Sequence, residues 1–200
     1  MVFCKTYDNI PFCDKEILRY AQCSDADEDI FSALSACKNE ALRFVSYKVC
    51  YCELPVTTDN DLCDFGIFSV RSKILAKNLC RCNRAIVFAA SVGIEIDRLI
   101  AKYSRLSPTK ALLLGAIGSE RVEALCDAFC QDIAKEYCAS AMPRFSPGYG
   151  DLPLDTQKDI FSLLDCQRKI GLTLNDSLLM SPSKSVTAFM GIKQSTNSEV

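Results

Sequence analysis

The stretch of this chain best equipped for chemistry is Arg144-Phe145-Ser146-Pro147-Gly148-Tyr149-Gly150-Asp151. Two glycines and a proline, with Pro143 just before them, preclude a regular element and make it a shaped loop. Glycine lets a ligand approach the backbone closely, and proline fixes the entry angle. Arg144 carries a planar fork that can grip a carboxylate through two hydrogen bonds. Tyr149, at the other end, can stack or hydrogen-bond. Upstream, Glu123 and Asp127 stand four residues apart, which puts both carboxylates on one face of a helix. The same residues also describe a structural turn whose arginine caps a helix and two acids on a solvated helix face.

Other chemistries are removed by composition. The chain has no histidine, which excludes Ser-His-Asp and Cys-His machinery and histidine-ligated metal centres. Thirteen cysteines are many for 200 residues. Their closest spacings, Cys50-x-Cys52, Cys80-x-Cys82 and Cys126-x-x-x-Cys130, match neither zinc nor iron–sulfur sites. With no apolar signal core near Lys5, Asp8 and Pro11, they are expected to be reduced thiols, mostly small buried hydrophobes, in a cytoplasmic protein. A cysteine-based redox or metal protein is the contrasting reading. A net charge of −2 gives no basic field for nucleic acid. No apolar run reaches the roughly 18 residues needed to span a bilayer.

A wider pattern surrounds the loop. Arg144-x-x-Pro147-Gly148-Tyr149 is followed by Asp155-x-x-x-x-Ile160-x-x-Leu163-Leu164-Asp165, by Gly171-Leu172-x-Leu174-x-x-Ser177, and by Met180-x-Pro182-x-x-Ser185-Val186. Together these resemble the reactivation domain of cobalamin-dependent methionine synthase, which binds S-adenosylmethionine (AdoMet). The likeness is dense from Pro143 to Ile192. Upstream, Glu16-Ile17-Leu18-Arg19-Tyr20 and Phe88-Ala89-Ala90-Ser91-Val92-Gly93 are similar to short, free-standing relatives of that domain.

The resemblance implies an AdoMet site built from Arg144, Ser146, Gly148 and Tyr149, with Asp127 standing at a ligand-contacting acid of the family. Asp8-x-x-Pro11-Phe12 is a weaker echo that assigns no site. Cobalamin would arrive only on a partner, a corrinoid-carrying methionine synthase or another corrinoid protein, since this chain has no imidazole for cobalt. In the family, the AdoMet methyl group passes to cobalt while an external electron donor supplies an electron, leaving S-adenosylhomocysteine. The domain contributes positioning and exclusion of water, so no side chain need act as acid or base. The implied role is support of methionine synthase activity rather than a self-sufficient enzyme. The alternative is a non-catalytic scaffold module docking on a corrinoid protein. Two departures stand out: Met-Trp-Pro is Met180-Ser181-Pro182 here, and the family's aromatic-rich end has no counterpart after Gly191-Ile192. A more open site, or one completed by a partner, is expected.

The elements that must position these residues follow from periodicity and punctuation. Residues 14–21 suit a short helix, and Ser24–Glu28 starts another that runs to about residue 40. Ala41–Val56 reads as a long strand, paired in a hairpin with a second strand over Cys63–Val70. Ser72–Leu79 is helical, Ala85–Ser91 a buried strand, and Ile94–Tyr103 a helix. Ser107-Pro108 starts a long, Ala-rich helix to about Tyr137, with small residues for close packing and a kink expected at Gly115 or Gly118. Leu154–Lys169 forms one helix begun by Asp155 and stopped at Gly171. Asp176–Met180 and Ser185–Gly191 read as strands, and residues 193–200 as a frayed tail. The sum is a single α+β domain over residues 1–200, an antiparallel sheet with packed helices including one long central helix.

Overall fold

The structure, a computed structural model, describes residues 1–23, 27–138 and 140–193. The expected helix start at Ser24 and the tail beyond Lys193 lie outside those residues. The chain opens with strand β1 (Phe3–Tyr7), helix α1 (Asp14–Tyr20) and helix α2 (Glu28–Leu42). Strands β2 (Tyr47–Pro55), β3 (Thr57–Asp59), β4 (Leu62–Asp64) and β5 (Ser69–Arg71) follow. Helix α3 (Lys73–Leu79), strand β6 (Arg84–Ser91), helix α4 (Ile94–Leu106) and helix α5 (Pro108–Glu136) form the middle. Strand β7 (Ser140–Ala141), helices α6 (Thr156–Leu164) and α7 (Cys166–Ile170), and strands β8 (Thr173–Leu174), β9 (Met180–Ser181) and β10 (Ser185–Lys193) complete the described chain.

The frame is an antiparallel sheet in the order β1-β2-β6-β10-β7, so the fold is α+β as expected. Central β6 is apolar from Ala85 to Ala90 because helices cover both faces. Its Ile86, Phe88 and Ala90 enter one core with α1, α2, α4 and α5. Ala85, Val87 and Ala89 enter a second core with α3, α6 and α7. Alternation along each strand divides the two sides. Cys50 and Cys52 on β2 therefore share a face, as expected, with Tyr51 on the other.

The long helix α5 runs unbroken past both glycines. A Cβ at Gly118 would lie 2.9 Å from Ile96 Cγ2 and from Lys184 Cγ, so the small residue lets α4 and the residue leading into β10 pack closely. On its buried face Arg121, fully buried, donates to the carbonyls of Ile10 and Pro11, to Tyr47 Oη and to Glu120. Glu120 also accepts from the Cys13 N–H at 3.1 Å. The Asp8–Phe12 echo is thus where the N-terminal segment is fastened to α5.

Several expectations are corrected. Ala41 and Leu42 end α2, because Ala41 continues the helical spacing of the buried Leu34 and Cys37, and strand pairing begins only at Tyr47. Strand β2 pairs with β1 and β6, not with a strand over 63–70. That segment is broken at Gly66, φ +81°, into β4 and β5 of a separate small sheet with β3. The 154–169 helix breaks at Asp165, which adopts the left-handed conformation that a short polar side chain tolerates. Residues 175–179 form a turn between β8 and β9, closed by Leu179 N–H donating to Asn175 Oδ1 at 2.9 Å. Gly171 does stop its helix, at φ +72°.

Candidate AdoMet site

Although the loop after Pro143 has no regular structure, it is fixed at four points. Pro143 O accepts from Asn78 Nδ2 at 3.1 Å. Phe145 and Phe189 exchange backbone hydrogen bonds of 2.8 and 2.9 Å, which stitches the loop to the edge of β10. Gly148 N–H closes the turn onto Leu152 O at 2.9 Å. Asp151 accepts from the Ser72 hydroxyl and from the N–H groups of Lys73 and Ile74, and so caps α3. Those donors hold the Asp151 carboxyl below its ordinary range, the Ser72 hydroxyl contributing most.

Arg144 reaches back to α5, donating from Nη1 to Asp127 Oδ1 and from Nη2 to Glu123 Oε2. Burial opposes its charge, but the hydrogen bonds and negative groups around it raise its pKa nonetheless. Two of its five N–H donors go to carboxylates among the described residues and one faces the Cys130 thiol, so the guanidinium keeps capacity for a further anion. Behind it lies Cys130, whose thiol burial pushes up to about 11.

Between this cluster and β10 opens a cavity of about 570 Å³, lined by Arg144, Glu123, Tyr149, Gln157, Met180 and Thr187 among others. Such a volume suits a cofactor-sized molecule. Phe145, Pro147 and Val186 give it apolar walls. Two side-chain oxygens on its lining, Gln157 Oε1 and Thr187 Oγ1, are buried with no hydrogen-bond partner among the described residues. Buried polar atoms are rarely left unpaired unless a ligand or water completes them.

The candidate residues distribute unevenly. Arg144, Ser146 and Tyr149 line the cavity, with Tyr149 68% exposed at its mouth. Gly148 does not line it. Its N–H is spent on the turn, and its φ of +87° is what that turn requires. Asp127 lies outside the lining but holds Arg144, while Glu123 both holds Arg144 and faces the cavity. Gln157 and Thr187 carry no motif and were missed. The available signal was positional: Gln157 interrupts the apolar stripe of Ile160 and Leu164, and Thr187 shares a strand face with Phe189.

The family model for the activation domain of vitamin B12 dependent methionine synthase matches residues 74–198, well over half of the chain. The chain belongs to that family. Among solved structures, this activation domain is similar to the MetH reactivation domain bound to AdoHcy, with a TM-score of 0.73 and 14% identity. The alignment covers 100% of this chain and 80% of that one, and likeness at this identity speaks for the fold. No curated protein matches. The activation domain's family match begins at α3, so the loop, the α5 acids and β10 all fall inside it, and the Asp8–Phe12 segment falls outside.

No group of three or more His, Cys, Asp or Glu among the described residues is arranged to hold a metal ion. Cys50 and Cys166 come within 4.0 Å, Sγ to Sγ, in the buried core under α7. Among the described residues no helix is long and apolar enough to cross a membrane.

Proposed function

We propose that this chain binds AdoMet in the cavity beside Arg144 and supports reductive remethylation of cobalamin carried by a separate corrinoid-dependent methionine synthase or related methyltransferase. The observation that carries the reading is the combination of a guanidinium held by two acids at one end of the cavity with unpartnered buried oxygens elsewhere on its lining. A zwitterionic amino acid with a neutral nucleoside is the ligand such a lining complements. Arg144, held by Asp127, would take the α-carboxylate, Glu123 the α-ammonium, and Ser146 and Tyr149 the adenosine. Gly148 would contribute by shaping the turn that aims Tyr149.

Cobalamin, supplied by the partner, would accept the methyl group when an external donor provides one electron. The residues of this chain bind and orient AdoMet, keep water from it and need transfer no proton, which suits a chain without histidine. Equilibrium dialysis with labelled AdoMet or S-adenosylhomocysteine tests the first half of the proposal. Saturable binding of one ligand per chain is expected, and absence of binding by the folded protein would overturn it.

A further inference from the structure

We infer that Gln157 and Thr187 form the base-reading end of the cavity and accept hydrogen bonds from the exocyclic amino group of adenine. The inference rests on the AdoMet reading above and adds, beside Ser146 and Tyr149 on the adenosine, a definite pair of residues at the amino edge of its base.

The cavity straddles the free flank of β10, and its two ends come from opposite faces of the sheet. Arg144 and Glu123 belong to the α5 side, where Leu125 and Phe129 pack in the first core. Gln157 sits on α6, whose Ile160 and Leu164 pack in the second core. Thr187 shares the parity of Phe189, which also lies in that second core. One end is therefore charged and partly exposed, while the other is neutral and closed. Gln157 is 5% exposed and Thr187 2%. The neutral, buried end cannot accept the amino-acid half of the ligand without desolvating its charges.

Both orphan atoms are oxygens. Ser185, two residues from Thr187 on the same face, has its hydroxyl satisfied by Pro182 O at 2.9 Å, so among the cavity's described lining residues the lack falls on this pair, the other unpaired buried atoms lying on Tyr7, Asn78 and Arg84. The adenine amino group carries two N–H donors, one for each oxygen. A primary amide also sets a donor beside its acceptor, which matches the adjacent acceptor nitrogen of the purine. The strand adds to this edge: Phe189 turns its N–H and C=O away from β6 toward Phe145, and antiparallel alternation turns those of Thr187 the same way.

The test uses calorimetric binding of S-adenosylhomocysteine, its analogue lacking only the 6-amino group, and its 2′-deoxy and 3′-deoxy analogues. Wild type should bind the amino-less analogue roughly 5- to 150-fold more weakly than the parent. In Gln157→Leu and Thr187→Val that ratio should fall toward one, while each variant keeps or raises the melting temperature because an unpaired buried oxygen has gone. A ratio unchanged in both variants, with wild type still binding, would overturn the inference and leave the AdoMet reading standing. A collapse seen only with the deoxy analogues would place these residues on the ribose and overturn the adenine assignment. Loss of all binding by wild type would overturn both readings, and unfolding of both variants would show the residues to be structural.

Discussion

Replacing Arg144 separates binding from stability, because the structure supplies a magnitude for each. In the unliganded protein Arg144→Ala removes two ion pairs, to Glu123 and Asp127, whose acidic side chains are 42% and 61% exposed. Exposure screens such pairs to about 0.5–1 kcal/mol each, so the stability loss should be about 1–2 kcal/mol. For a domain of this size that lowers the melting temperature by roughly 2–8 °C. Binding should suffer more. With the guanidinium gone, the ligand's carboxylate would face the carboxylates of Glu123 and Asp127 with no cation between them. We expect a loss of about 2–4 kcal/mol, a weakening of roughly 30- to 1000-fold. Arg144→Lys should recover only part of this, since an ammonium cannot bridge two acids and a third carboxylate in one plane. Titration calorimetry with S-adenosylhomocysteine on variants shown to be folded gives both numbers. Equal affinity in wild type and Arg144→Ala, with only the melting temperature lowered, would refute the assignment of Arg144 to the ligand.

Further outcomes follow from the same geometry. Glu123→Gln should weaken ligand binding more than Asp127→Asn, because Glu123 faces the cavity and Asp127 acts only through Arg144; calorimetry on the two variants ranks them. Arg121→Ala should destabilise the fold by about 3–5 kcal/mol in urea, since it strands the buried Glu120 and frees the carbonyls of Ile10 and Pro11. Asp151 has its pKa depressed on folding, so its contribution is present above the ordinary carboxylate pKa and lost as pH falls through the folded value. Asp151→Asn should therefore flatten the acid limb of the stability curve below about pH 4. Native-state alkylation should reach the exposed Cys4, Cys13 and Cys80 first, while Cys52 and Cys63, with thiols pushed up to about 11 by burial, react only on unfolding.

What the sequence disclosed was local. The spacing of apolar residues marked α1, α3, α4, α5 and β6, and the Gly-Pro content marked the loop that carries Arg144 and Tyr149. What it hid was partnership. The pairing of β2 with β1 and β6 depends on contacts far along the chain that no local period records. Strand β1 is five residues long with every residue exposed or half-exposed, too little alternation to stand out. The break at Asp165 is set by a single left-handed residue inside an otherwise helical pattern. At the site, the charged residues announced themselves through a motif, whereas Gln157 and Thr187 matter only because folding leaves their oxygens unpaired beside a cavity.

The central claim is that this chain serves as the activation module of a corrinoid enzyme other than itself. It is tested most directly by adding the purified chain, AdoMet and a one-electron donor to a cobalamin-dependent methionine synthase whose own activation domain has been removed and whose cobalamin has been oxidised. The account predicts recovery of methionine formation that requires all three additions and is lost with Arg144→Ala. Recovery that is the same without the chain, or unaffected by Arg144→Ala, would contradict it, as would no recovery at concentrations that saturate AdoMet binding with several such corrinoid enzymes.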